Sequence, residues 1–135
     1  MMKVFLDTNI VIDLLDKREP FYIDAVKLFT LAYQKKITLF VSPMTYATAS
    51  YLLRKHGKEG MRKLLNNFRQ LSQITTADER VVDAALASSF DDYEDALQYY
   101  SALTRNVDVI VTRNKKDFTS ASIPVLSPAE LLKQL

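Results

Sequence analysis

Lys3-Val4-Phe5-Leu6-Asp7-Thr8-Asn9-Ile10-Val11-Ile12-Asp13-Leu14-Leu15 is the stretch on which the fold turns. Lys3 to Leu6 is a short apolar run that stops at an aspartate, and Ile10 to Leu15 continues at helical spacing with Asp13 on the outer face. The pattern is strand, tight turn, helix. Further along, Ile37 to Val41 and Val109 to Val111 are two more continuous apolar runs of strand length. Strands that are apolar on both faces and alternate with amphipathic helices belong to a parallel sheet covered on both sides. The expected architecture is α/β, a three-layer α/β/α sandwich around a central parallel sheet.

The intervening segments are expected to be helical. Tyr22 to Lys35 carries Ala25, Leu28, Phe29 and Ala32 on one face, with Pro20 just before its start. Thr45 to Lys55 turns Ala49, Leu52 and Leu53 inward, and Met61 to Leu71 turns Met61, Leu64, Leu65 and Phe68 inward. Gln73 to Thr75 is strand-like, and Thr76 or Asp78 caps a helix through Val81, Val82, Ala85 and Leu86. A helix from about Tyr93 to Leu103 presents Ala96, Leu97, Tyr100 and Leu103 as its apolar side. Ile123 to Leu126 contains Pro124, which suits an edge strand, and Ser127-Pro128 opens a last helix as N-cap and first turn. At 135 residues the chain is expected to form one domain, 1–135, with no internal repeat and no linker.

Composition narrows the chemistry. There is no cysteine, and the one histidine, His56, sits in the polar, glycine-flanked stretch Arg54 to Gly60, expected to be a loop. Thiolate zinc sites, cysteine nucleophiles and multi-histidine metal sites are excluded, and a Ser-His-Asp triad would have to run through that solvated histidine. Gly57 and Gly60 are the only glycines, so neither a dinucleotide-binding fingerprint nor a P-loop can be written. Oxygen donors remain. No apolar run approaches the length of a membrane span and the N-terminus lacks a signal-peptide core, so a cytoplasmic address is expected. Net charge is only +2, but Arg54 to Arg69 holds six basic residues against Glu59, whereas Asp91 to Asp95 holds four acids and no base.

Ligands of open parallel sheets bind outside the carboxyl ends of the strands. That rule selects Asp7 after the first strand, Ser42 to Thr48 after the second, and Thr112, Arg113, Asn114 and Asp117 after Val109 to Val111. A right-handed crossover brings the acidic start of the helix near Tyr93 to the same edge. Asp92 and Asp95, three apart, are expected to share a helix face, and Asp91 and Glu94 a neighbouring one. Singly, such acids serve as turn, cap or surface residues. Converging from three segments they repel unless a cation or a raised pKa relieves them, and a hard divalent ion, Mg²⁺ or Mn²⁺, suits oxygen ligands.

The blocks Phe5-Leu6-Asp7-Thr8-Asn9, Asp92-Tyr93-Glu94-Asp95-Ala96-Leu97-Gln98-Tyr99-Tyr100-Ser101-Ala102-Leu103 and Ile110-Val111-Thr112-Arg113-Asn114-Lys115-Lys116-Asp117-Phe118 together resemble the PIN domain family, and in size its small VapC-type toxin ribonucleases. The resemblance implies Mg²⁺- or Mn²⁺-dependent cleavage of single-stranded RNA with Asp7 and Asp95 as metal ligands. By the same resemblance Asn114 and Asp117 help hold metal or water, and Asn9 and Thr112 orient the ligands by hydrogen bonding. An antitoxin protein and a homo-oligomer are the partners it implies besides RNA. The sequence departs from the family in one place: Thr48 stands where a glutamate is usual, with no acid anywhere in Ser42 to Ser50. Either Asp92 or Glu94 is then expected to replace the ligand, Asp92 being preferred because it lies one turn before Asp95, or the metal binds weakly and the domain is less active.

Arg113, Lys115 and Lys116 flank the expected site and are candidates for sequence-independent contacts to an RNA backbone, as more loosely is the basic stretch Arg54 to Arg69. Tyr46, Tyr51, Tyr93, Tyr99 and Tyr100 either stack on bases or pack. Two other functions remain open. Asp7 as the nucleophile of an aspartyl-phosphate phosphatase would need an acid two residues on, where Asn9 stands. A non-catalytic module that binds RNA or protein is favoured by Thr48.

Overall fold

The computed structural model describes residues 1–135. Five parallel strands form one sheet in the order β3-β2-β1-β4-β5, with β1 at Met2–Leu6, β2 at Ile37–Val41, β3 at Ser72–Ile74, β4 at Val109–Val111 and β5 at Val125–Leu126. Helices α1 (Thr8–Leu15), α2 (Tyr22–Tyr33), α3 (Pro43–Leu52), α4 (Gly57–Arg69), α5 (Glu79–Leu86), α6 (Tyr93–Leu103) and α7 (Pro128–Gln134) complete the sandwich. None of these helices is long and apolar enough to cross a membrane.

Period-two alternation in β1 assigns its side chains to two cores. Val4 and Leu6 join Leu39, Val41, Val109 and Val111 beneath Ile10, Leu28, Phe68 and Leu131, contributed by α1, α2, α4 and α7. Phe5 points the other way and joins Phe40 and Ile110 against Tyr99, Ala102 and Phe118. Ile12, Ala49 and Leu53 form a third, small cluster that locks α1 to α3. The strand order runs outward from β1 to β2 and β3, then resumes on the other side of β1 with β4. The chain therefore changes direction across the sheet between β1 and β4, and a crevice opens above the carboxyl ends of that pair.

Several boundaries differ from expectation for local reasons. Helix α1 begins at Thr8 because Asp7, extended at φ −62° and ψ 151°, accepts the Thr8 N–H and serves as N-cap. Pro43 occupies the first turn of α3, so that helix starts two residues before Thr45 and ends at Leu52. Arg54–His56 is a 3-10 turn and Gly57 already opens α4, so the Arg54 to Gly60 stretch is helical rather than a loop. Lys35, at φ 60°, leaves α2 to end at Tyr33. Ile123 and Pro124 fall outside β5, although the Pro124 carbonyl still accepts the Ile110 N–H at 3.0 Å, and β5 is an edge strand as its proline suggested. Asp78 rather than Thr76 caps α5, and Ser127 forms a full capping box with Glu130.

Three polar residues lie deeper than periodicity suggests. Helix α6 buries Ala96, Gln98, Tyr99, Ser101 and Ala102, whereas Leu97, Tyr100 and Leu103 are only half-buried. Hydroxyls on neighbouring elements make this tolerable: Ser101 Oγ is 2.6 Å from Thr75 Oγ1 and donates to the Thr76 carbonyl, while Gln98 is bonded to Ser42, Thr8 and Thr45. Asp13, expected on the outer face of α1, is 1% exposed.

Tyr46 packs its ring on Phe68 at 5.9 Å between centroids, but its buried hydroxyl has no hydrogen-bond partner. A buried, unmet hydroxyl costs about 1–3 kcal/mol. Tyr46→Phe keeps the ring and deletes that cost, so thermal unfolding of the variant is expected at an equal or higher midpoint than wild type. A fall in the midpoint would mean the hydroxyl is satisfied in solution.

Candidate active site

Asp7 stands at the junction of β1 and α1, directly above the crevice, and is 7% exposed. One carboxylate oxygen accepts the Thr8 N–H at 2.8 Å and the other accepts the Thr112 hydroxyl at 2.9 Å. The Asp7 N–H in turn donates to the Val111 carbonyl at 2.9 Å, so both ends of Asp7 are tied across the β1–β4 pair. Thr112 is fully buried and also accepts the Asn114 N–H at 3.0 Å, which shapes the loop after β4. Burial raises the Asp7 carboxyl above its ordinary range; the hydrogen bonds from Thr112 and Thr8 oppose the shift and the Asp117 charge adds to it.

Asp95 enters the same cleft from the first turn of α6. Its pKa is pushed up to about 7, first by desolvation and then by the charges of Asp92, Asp7, Asp117 and Glu94. Asp117 comes from the 3-10 turn Lys115–Phe118, where its N–H donates to the Asn114 carbonyl at 2.9 Å. The cleft has a volume of about 450 Å³; Asp7, Glu94, Asp95 and Asp117 are its acids, and Asn9 and Asn114 add neutral amides. Helix α3 contributes Met44, Ala47 and Thr48, so that wall carries no charge. As the side chains lie, no three acids stand close enough together to enclose an ion by themselves. The donor set nonetheless fits a hard divalent cation held by a few carboxylates and completed by water, the usual arrangement for Mg²⁺.

Other expected residues are placed differently. Asp92 is the N-cap of α6: it accepts the Asp95 N–H at 3.1 Å, keeps its charge beside Asp95, and is absent from the cleft lining. The unpaired amides of a first turn are a strong attractor for such a side chain. Glu94, two residues further on, is the α6 acid that lines the cleft beside Asp95. Thr112 does orient Asp7 by hydrogen bonding, whereas Asn9 faces the cleft with its side-chain amide bonded to neither carboxylate.

The basic residues divide in the same way. Arg113 is engaged within the chain: its Nε donates to Asp13 at 2.7 Å, its Nη2 to the other Asp13 oxygen at 3.2 Å, and its guanidinium lies 3.8 Å above the Phe21 ring. This pair explains why Asp13 is buried. Desolvation raises the Asp13 carboxyl, and the hydrogen bonds and charge of Arg113 pull it back. Lys115 reaches Glu130 at 3.0 Å, and Lys116 is exposed without an ion pair. In the basic stretch, Lys55 pairs with Asp16 at 2.9 Å and Arg54 stacks on Tyr51, while Lys58, Arg62 and Lys63 face solvent. His56 is exposed near Asp16, away from the cleft. Of the tyrosines, Tyr99 is buried with its hydroxyl 2.8 Å from Ser122, whereas Tyr51 and Tyr93 are exposed.

Gln98 is the cleft residue that sequence reasoning passed over. Its signal was a polar side chain three residues after Asp95, one turn along the helix.

Among curated proteins, Ribonuclease VapC1 of Aquifex aeolicus is 27% identical over 137 aligned positions, covering 98% of this chain and 94% of the relative. Among solved structures, VapBC2 from Rickettsia felis bound to a DNA fragment from its promoter superposes with a TM-score of 0.65 at 23% identity, over 93% of this chain and 98% of the other. A toxin-antitoxin complex from Klebsiella pneumoniae superposes with a TM-score of 0.69 at 21% identity, over 93% and 97% of the two chains. At these identities the superpositions establish the fold, a five-stranded parallel sheet between helices, and the PIN domain model matches residues 3–116. The chain belongs to the PIN domain family.

Proposed function

We propose that this chain is a divalent-cation-dependent endoribonuclease and the toxin of a toxin-antitoxin pair. The observation that carries the reading is the convergence of Asp7, Asp95, Asp117 and Glu94, from three separate segments, on one cleft at the switch point of a PIN sheet. Similarity to a ribonuclease over nearly the whole chain supports RNA as the substrate. Similarity to toxin-antitoxin complexes supports a protein antitoxin as partner. A homo-oligomeric state and a cytoplasmic address belong to the same proposal.

Asp7 and Asp95 are the proposed metal ligands, with Asp117 and either Glu94 or Asp92 as the further acids. When bound there, Mg²⁺ or Mn²⁺ would polarise a phosphate and lower the pKa of an attacking water. The chain's own residues do the rest. Thr112 and Thr8 fix the direction in which Asp7 presents its lone pairs. Asn9 and Asn114 offer amides to a water or a phosphate oxygen at the cleft. Lys116, and Lys115 where it exchanges Glu130 for a phosphate, neutralise backbone charge at the rim. The neutral α3 wall favours a second reading, a PIN module that binds RNA or protein without cutting it.

Asp7→Asn separates the two readings, because it removes a charge at nearly constant volume. Mn²⁺-dependent cleavage of single-stranded RNA is expected to fall by roughly 100- to 1,000-fold, the size of loss typical when one charge-stabilising group is deleted from an active site. The rise in melting temperature on adding Mn²⁺ should shrink in the same variant. Cleavage at the wild-type rate by folded Asp7→Asn would remove Asp7 from the reaction, and wild-type protein that cuts no RNA with either metal would leave the binding module.

Asp92 and Glu94 are separable by the same titration. Asp92→Asn keeps a good N-cap and should leave Mn²⁺ affinity within about twofold, since Asn and Asp cap equally well. Glu94→Gln should weaken Mn²⁺ binding clearly more. The opposite ranking would make Asp92 the ligand that replaces the acid missing at Thr48.

Carboxylate crowding also sets the sign of a pH effect in metal-free protein. Desolvation and the neighbouring charges push the Asp95 carboxyl up to about 7 in the folded chain, from an ordinary value near 3.8. Between those two values the folded state holds a proton that the unfolded chain has released, so this group's contribution is complete below about pH 4 and is lost as pH rises through about 7. In chelator-treated protein the melting temperature should fall over that range, and Asp95→Asn should flatten the fall. Parallel slopes in the two proteins would show that Asp95 is not the crowded group.

A further inference from the structure

We propose that Gln98 is a positioning residue of this site, setting the spacing between Asp7 and Asp95 through an uncharged hydrogen-bond junction that stands where α3 offers no acid. The inference rests on the cation-dependent reading above. Gln98 is 6% exposed, yet its side chain touches three elements besides its own. Nε2 donates to Thr8 Oγ1 at 2.6 Å and, more weakly, to Thr45 Oγ1 at 3.4 Å; Oε1 accepts the hydroxyl of fully buried Ser42. Thr8 and Thr45 close the ring with their hydroxyl oxygens 2.8 Å apart. The four residues come from the start of α1, the end of β2, the first turn of α3 and the middle of α6.

The connections at either end give the junction its role. Thr8 directly follows Asp7, and its backbone N–H is one of the two donors that fix the Asp7 carboxylate. Asp95 precedes Gln98 by three residues, so the two lie one turn apart on neighbouring positions of α6. Gln98 and Thr8 both line the cleft, between the acids and the neutral α3 wall. Pulling Thr8 toward α6 therefore pulls Asp7 toward Asp95, two groups whose charges oppose that approach. A carboxylate at position 98 could accept from Ser42 but has no N–H for Thr8, and it would add charge beside Asp95. An amide supplies both donor and acceptor, and no charge.

A purely structural Gln98 would affect folding alone, so the test measures Mn²⁺ binding directly. Electron paramagnetic resonance of free Mn²⁺ would be followed for wild type, Asp7→Asn, Gln98→Leu and the double variant Ser42→Ala/Gln98→Leu, all well below their melting temperatures. The double variant removes the Ser42 hydroxyl that Gln98→Leu leaves unmet, so it should recover much of any lost melting temperature. Both Gln98 variants are nevertheless expected to bind Mn²⁺ about 10- to 100-fold more weakly than wild type, the range usual when the support of a metal ligand is removed. Cleavage should fall through kcat, with the KM for RNA little changed. Wild-type affinity in the stabilised double variant would overturn the proposal while leaving the cation reading intact. Equal affinity in wild type and Asp7→Asn would overturn the cation reading, and this proposal with it.

Discussion

Asp7 has to be buried and charged in the same place, and most of the site follows from that constraint. A carboxylate out of water costs several kcal/mol unless it is hydrogen-bonded. Here the donors are a helix's first amide and the Thr112 hydroxyl, which arrives from the neighbouring strand. Neither donor carries a charge, so the carboxylate is steered without being neutralised, and its pKa remains raised. An arginine in the place of Thr112 would have held Asp7 more tightly and occupied the direction a cation needs. The Arg113 guanidinium is instead bound through two nitrogens by Asp13 and stacked on Phe21, and its charge only partly offsets the upward shift of Asp7.

That commitment also shapes the loop after β4. Thr112 is drawn to Asp7, Arg113 to Asp13 and the Asn114 N–H back to the Thr112 hydroxyl, so successive residues are fixed to the N-cap of α1, to α1 itself and to each other. The consequence is that Asn114 and Asp117 face the cleft from a rigid loop. Breaking such a buried pair by removing one partner typically costs about 3–5 kcal/mol, because it strands the other charge. The pair holds the loop after β4 against α1.

Much of the fold was legible in the sequence because apolar runs and helical periodicity report burial directly. Val4 to Leu6, Ile37 to Val41 and Val109 to Val111 were identifiable as doubly covered strands, and Asp7 followed from its place after the first of them. What periodicity misjudged were buried polar residues. Asp13, Gln98 and Ser101 occupy inward positions that only an apolar residue is expected to fill, and each is admitted by a partner far away in sequence: Arg113, Ser42 and Thr75. The orientation of Asp92 was hidden for a different reason. Helix spacing relates residues inside a helix, and Asp92 is the cap, whose backbone is extended and whose side chain bends back to the Asp95 amide.

The uncharged α3 wall is best understood through the same balance of charge and support. Four acids already face the cleft, and desolvation together with the surrounding charges pushes the Asp95 carboxyl up to about 7. A further carboxylate at Thr48 would add repulsion to a site whose geometry depends on neutral donors rather than on cationic side chains. Hydroxyls and an amide stand there instead: Thr48 on the wall, Thr8 and Gln98 lining the cleft beside it, and Thr45 and Ser42 bonded to Gln98. These groups satisfy one another when the cleft is empty, which a lone glutamate could not do. A site built this way can remain ordered in the absence of a cation, because its support does not require one to cancel a charge.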